Sequence, residues 1–219
     1  MPEIKKSNYL VILLASSAYL MFVLMDSLAK HLTEFINVDQ LIWGRYFFHF
    51  LSMLIYFLIF KPKMDLKRNF KLQIARSSLL VLGTTLMFIS LKYFSLVDIY
   101  VLFFAAPLIL ALLSAVFLKD NLSAAGWILM ILSFASIAFS IGPSMKTFTP
   151  LLIVPFMIPV FWACYQFLTK IISNNREPFV AVFYSGLVGS LVFSLYTYMH
   201  WVPFSSSFIW LELIVLGTF

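Results

Sequence analysis

Residues 75–123 read ARSSLLVLGTTLMFISLKYFSLVDIYVLFFAAPLILALLSAVFLKDNLS. Two apolar runs, Leu72–Lys92 and Val97–Leu118, meet across a very short connection. Each is long enough for a helix to cross a bilayer, which takes about 20 mostly apolar residues. Lys92 and Asp98 bracket the connection, where they are solvated or paired. Pro107 in the second run predicts a bend, because proline removes a helix donor and its ring crowds the preceding turn. The stretch KDNLS at 119–123 reads as a tight turn, with Ser123 placed to cap the helix that follows.

Working outward, the same pattern fills the chain. Of its 219 residues, 63% are hydrophobic and only 11% are charged, and the mean hydropathy is +1.00. Soluble domains are nearer half apolar and a quarter charged. The expected class is therefore an all-α polytopic membrane protein. Complete spans are predicted at Tyr9–His31, Gln40–Phe60, Leu72–Lys92, Val97–Leu118, Ala124–Gly142, Pro150–Ile172 and Phe179–His200. An eighth begins near Phe208 and runs into the last residue, Phe219. The first run follows Lys5 and Lys6 like a secretion signal, but it is too long and lacks a small-residue cleavage site.

The net charge of +6 is read as a topology signal, not as a nucleic-acid surface. Lys5, Lys6, Lys61, Lys63, Lys67, Arg68, Lys71, Lys119, Lys170 and Arg176 fall on one side of a chain that weaves back and forth. Only Lys30, Lys92 and Lys146 fall on the other. The basic excess marks the cytoplasm and puts the N-terminus there. Arg76, at the start of the third span, joins that set. Cys164, the one cysteine, reads as a small apolar filler.

The chain also resembles itself. At an offset of 140 residues, MDSLAKHLTEF (25–35) falls on YQFLTKIISNN (165–175), so Leu28 meets Leu168 and Lys30 meets Lys170. At an offset of 134, LLVLGT (79–84) falls on LIVLGT (213–218). A unit of five spans is expected to re-enter the membrane upside down, giving two inverted five-helix repeats. The first occupies 1–142 and the second, incomplete, 150–219, with the loop residues of IGPSMKTFTP (141–150) marking the boundary. Spans nine and ten of the second unit are expected to be missing.

Helical spacing puts Ala15, Tyr19, Phe22, Asp26 and Lys30 on one stripe of span one. The repeat maps these onto Pro155, Pro159, Trp162, Gln166 and Lys170 of span six. The two prolines should loosen that helix, which a membrane tolerates only where backbone is buried in protein or lines a cavity. The stripes either line a cavity or pack against neighbours. Asp26 is either an ion pair with Lys30 or Arg45 near the interface, or a site for a proton or a substrate amine. Arg45 either grips a substrate carboxylate through its two-pronged donor face or pins spans one and two together. His49 lies one turn deeper on the same face. Gly83 and Gly217, matched by the repeat, allow close helix approach. Trp201 and Trp210 fit an interfacial aromatic belt.

The chain has no phosphate-binding glycine loop, no H-E-x-x-H, no G-x-S-x-G and no Cys/His cluster. ATP-driven pumping, metal catalysis and nucleophilic catalysis therefore lack their usual groups. No enzyme activity, cofactor, metal or nucleic-acid partner is predicted.

The acid and lysine of MDSLAK (25–30), WGRYFF (43–48) and the opening block at 75–123 together resemble the drug/metabolite transporter superfamily. The likeness is to its EamA-type carriers of ten spans. Members usually carry Glu where this chain has Asp120. The resemblance implies a bacterial inner-membrane carrier of small metabolites, driven by proton or substrate gradients. The expected function is secondary transport of a small polar or zwitterionic, amino-acid-like metabolite by alternating access. Tyr19, Phe22 and Trp162 would form the cavity wall, with Asp26, Arg45 and Gln166 as polar contacts. The alternative is an inactive carrier fragment or a membrane scaffold.

Overall fold

The structure, a computed structural model, describes residues 6–62, 65–119, 123–140, 150–172 and 178–218. Residues 141–149 of the expected boundary stretch, Asp120 and the topology charges Lys5, Lys63, Lys146 and Arg176 lie outside these residues. Nine helices are described: α1 (Lys6–Leu32), α2 (Val38–Phe60), α3 (Phe70–Tyr93), α4 (Leu96–Phe103), α5 (Ala106–Phe117), α6 (Ala124–Ser140), α7 (Ile153–Ile172), α8 (Pro178–Met199) and α9 (Phe208–Thr218). A short 3₁₀ turn, Pro150–Leu152, leads into α7. No strand occurs among the described residues.

Six segments are long and apolar enough to cross a membrane: α1, α2, α3, the α4–α5 pair, α7 with its 3₁₀ turn, and α8. Helices α6 and α9 are apolar but shorter. The end expected for the fifth span, Gly142, is outside the described residues. The chain is an all-α polytopic membrane protein.

Local chemistry sets the breaks. Ser95 Oγ accepts from the Asp98 amide at 3.2 Å and donates to the Asp98 carboxylate at 2.6 Å, a reciprocal cap that starts α4. Pro107 does more than bend its span, because the helix divides just before it. Phe104 N reaches Tyr100 O at 3.1 Å, and Ala105 N tightens to Leu102 O at 3.0 Å. Without an N–H at 107, the carbonyl of Phe103 cannot receive its usual bond. Ser123 caps α6 as the sequence predicts, accepting from Gly126 N at 3.1 Å. In α7 the prolines do not interrupt the helix. Pro155 falls in the first turn, where no donor is needed, and Pro159 is carried inside; both are buried.

Helix α3 packs against α7 and α8, α2 against α8 and α9, and α5 against α7. The principal core gathers one end of several helices: Ala29 and Leu32 of α1, Leu41 and Ile42 of α2, Phe88 and Leu91 of α3, and Leu213 and Leu216 of α9. The rest of α1 differs. Tyr9–Leu24 is exposed on every face, an apolar surface of the kind lipid covers. Lys30 anchors α1 at its packed end by donating to Leu91 O and, at 3.2 Å, to Phe94 O. These carbonyls end α3 and lack helical partners, and the negative end of the helix dipole favours a cation there. Beside it His31 lies 3.7 Å from Glu212 of α9.

The two repeat-matched glycines differ. A Cβ on Gly217 would stand 2.9 Å from Arg45 O and 3.0 Å from His49 N, so α9 meets the α2 backbone directly. A Cβ on Gly83 would meet only Phe161 Cβ at 3.6 Å, an ordinary contact. Trp201 and Trp210 are more than separate belt residues: both pack with Trp43, at 5.3 and 6.3 Å between ring centres. Gly217→Val should lower stability by about 1–3 kcal/mol through overpacking, whereas Gly83→Ala should cost far less. Thermal unfolding of both variants in detergent checks the contrast.

Candidate functional site

A cavity of about 270 Å³ lies among α1, α2, α3, α4, α7 and α8. That is just under the roughly 300–1,000 Å³ usual for small-molecule sites, so it matches only a small solute. Tyr19, Phe22, Asp26, Arg45 and Trp162 all line it. Gln166 does not. On α7 the cavity face is carried by Ile158, Trp162 and Tyr165, and Gln166 stands one residue, about 100°, round the helix from Tyr165. Pro155 and Pro159 of the same stripe are buried away from the cavity. The repeat put Gln166 opposite Asp26 by alignment, but the packing of α7 turns it aside.

The aromatic wall centres on Trp162. Its ring lies 6.1 Å from Phe22 at 87°, 5.4 Å from Phe103 and 5.4 Å from Tyr165. Edge-to-face contacts at such separations are favourable ring geometry. One indole thus ties α1, α4 and α7 around the space.

Asp26 is 7% exposed. It accepts from Tyr100 Oη at 2.7 Å. It does not pair with Lys30, whose ammonium is committed to the end of α3. Nor does a salt bridge join it to Arg45 among the described residues. Arg45 donates to Met25 Sδ, a weak acceptor, and at 3.4 Å to Leu216 O. Its buried Nε has no partner among the described residues. His49 joins it on the cavity wall, as the one-turn spacing predicts.

Arg76 is the main residue the sequence reading misplaced. It is more than a member of the basic topology set at the start of span three: it is 2% exposed and lines the cavity. Its guanidinium donates to Tyr165 Oη at 3.2 Å, to Ser185 Oγ at 3.0 Å and to Ala181 O. It also lies 5.1 Å from the centre of the Tyr165 ring, within cation–π range. The available signal was depth: Arg76 is two turns inside α3, and an ionisable group inside a span is a site candidate by default. Tyr100, Phe103 and Tyr165 carried no such signal, since aromatics are common throughout this chain.

The charged groups occupy different levels. Leu91, which receives Lys30, is 15 residues beyond Arg76 on α3, about 22 Å along the helix at 1.5 Å per residue. Asp26, one turn before Lys30, therefore lies toward the packed end of α1 and Arg76 toward the opposite end of α3, with the rings of Tyr100, Phe103, Trp162 and Tyr165 running from one to the other.

The model of the EamA-like transporter family matches residues 9–142, more than half of the chain. The chain belongs to the EamA-like transporter family. The match is in keeping with the drug/metabolite transporter superfamily that the sequence resembles. In this EamA-like transporter the matched residues run from α1 through α6, so they contain Asp26, Arg45 and Arg76. Trp162, Tyr165 and Ser185 come to the cavity from α7 and α8, beyond the match. No curated protein and no solved structure matches the chain.

The Asp26–Tyr100 bond gives a stability test. Tyr100→Phe should cost about 1–3 kcal/mol by leaving a buried carboxylate without that partner. In an Asp26→Leu background the same change should cost much less. A double-mutant cycle by thermal unfolding reads the difference.

Proposed function

We propose that this EamA-like transporter is a secondary carrier that moves a small polar or zwitterionic, amino-acid-like metabolite by alternating access. The supporting observation is the cavity itself: charged and aromatic side chains converge on one space inside an otherwise apolar bundle. Charges inside a membrane are costly and are kept where they line solute paths or pair. Tyr19, Phe22 and Trp162 enclose the apolar part of the solute. Asp26 and Arg45 contact its polar groups, and Asp26 is the carboxylate through which proton coupling would run. Gln166, off the cavity wall, drops out of this set.

The reading also takes over the expected two-unit design. Residues 1–142 and 150–219 act as inverted units, and rocking one against the other exposes the cavity to each side in turn. On this reading, which the basic excess supports, the N-terminus and the 61–71 connection lie in the cytoplasm and the membrane is the bacterial inner membrane.

The test is transport by the purified chain in proteoliposomes, screened with radiolabelled amino acids and related metabolites under an imposed proton gradient. Asp26→Asn should abolish acceleration by the gradient, and Trp162→Ala should cut uptake at least about tenfold, the order of one lost hot-spot contact. Gradient-independent transport by the unmutated chain would remove the coupling role. In the same vesicles a cysteine at Asp65 should react only from the cytoplasmic face; reaction from the other face would invert the topology.

A further inference from the structure

Arg76 is a buried cation whose recorded partners are all neutral: a phenol, a hydroxyl, a carbonyl and a π-face. Its Nε is buried and has no partner among the described residues. Buried charges are normally paired with an opposite charge. The lining shows the same imbalance. Two guanidinium groups, Arg45 and Arg76, face one carboxylate, Asp26, and that carboxylate sits with Tyr100 at the other end.

Two donors around Arg76 are left without an acceptor among the described residues. Tyr165 Oη accepts from Arg76, so its own proton points elsewhere. Ser185 is different, since its hydroxyl accepts from Arg76 and already donates to Ala181 O at 3.0 Å. Arg76 Nε–H and Tyr165 O–H thus form a pair of adjacent donors, one of them charged. That is the donor set a carboxylate takes, with one oxygen on each. Next along the wall come Trp162, 5.4 Å from the Tyr165 ring, and Phe103, 5.4 Å from Trp162.

We propose that Arg76 and Tyr165 form the anion-binding end of the cavity, and that the substrate is an organic carboxylate whose apolar body lies against Trp162 and Phe103. One negative charge balances the lining, which carries one excess positive charge. The proposal rests on the transport reading and narrows it: the acid group is the required one, and an amine is not.

Equilibrium binding tests this without transport. The full chain in lipid nanodiscs is titrated with radiolabelled 3-phenylpropanoate and 3-phenylpropylamine, which share a body and differ in the sign of their charge. The acid should bind at least about tenfold more tightly, and Arg76→Gln should erase that preference. Tyr165→Phe, which keeps the ring, should weaken the acid several-fold and leave the amine unchanged. The comparison on the unmutated chain and on Tyr165→Phe stands even where Arg76→Gln fails to fold. Equal affinity for the two probes, tighter binding of the amine, or no binding of the acid overturns the proposal. A chain that transports solutes yet prefers the amine would lose this anion end and keep its carrier function.

Discussion

One guanidinium ties the cavity's far end together. Arg76 reaches from α3 to Tyr165 on α7 and to Ala181 and Ser185 on α8. Lipid offers no hydrophobic drive between helices, so packing and interhelical hydrogen bonds must hold a bundle together. The position of Arg76 fixes how α3, α7 and α8 surround the cavity, and with them the orientation of Tyr165 and Trp162.

The opposite end is held by a different device. Lys30 caps α3, Tyr100 holds Asp26, and Gly217 lets α9 sit on the α2 backbone. Between these fixed ends lies an apolar aromatic wall with few polar contacts. Binding energy there comes from ring area and shape, while charge at either end sets orientation. Helix α1 is packed at one end and exposed over Tyr9–Leu24, which makes it the least constrained wall of the cavity.

Most of the fold was legible because apolar run length is a direct consequence of bilayer thickness. The breaks were legible too: Pro107 and Ser123 act through local backbone chemistry that needs no tertiary knowledge. The site was read in part. Asp26 and Arg45 stood out as charges in grease, Tyr19 and Phe22 followed from helical spacing, and Trp162 from the repeat offset. Gln166 lies off the cavity wall, since alignment to Asp26 carries no information on how α7 rotates in the bundle. Arg76 was misread because a basic residue near a span end serves equally as a topology signal or as a buried charge. Its depth of two turns in α3 favours the second, and the tertiary packing decides it. Lys30 shows the same limit, since its partners are carbonyls 61 and 64 residues away.

The proposed alternating access requires that solutes reach the cavity from either side. Leu80 lines it one turn beyond Arg76, and the single native cysteine, Cys164, can be replaced by alanine. A Leu80→Cys chain in that background, treated with a membrane-impermeant maleimide in sealed vesicles of each orientation, reads access directly. Alternating access predicts modification from both faces, with the balance shifted by a transported solute. Modification from one face only, whatever solute or gradient is applied, would contradict it.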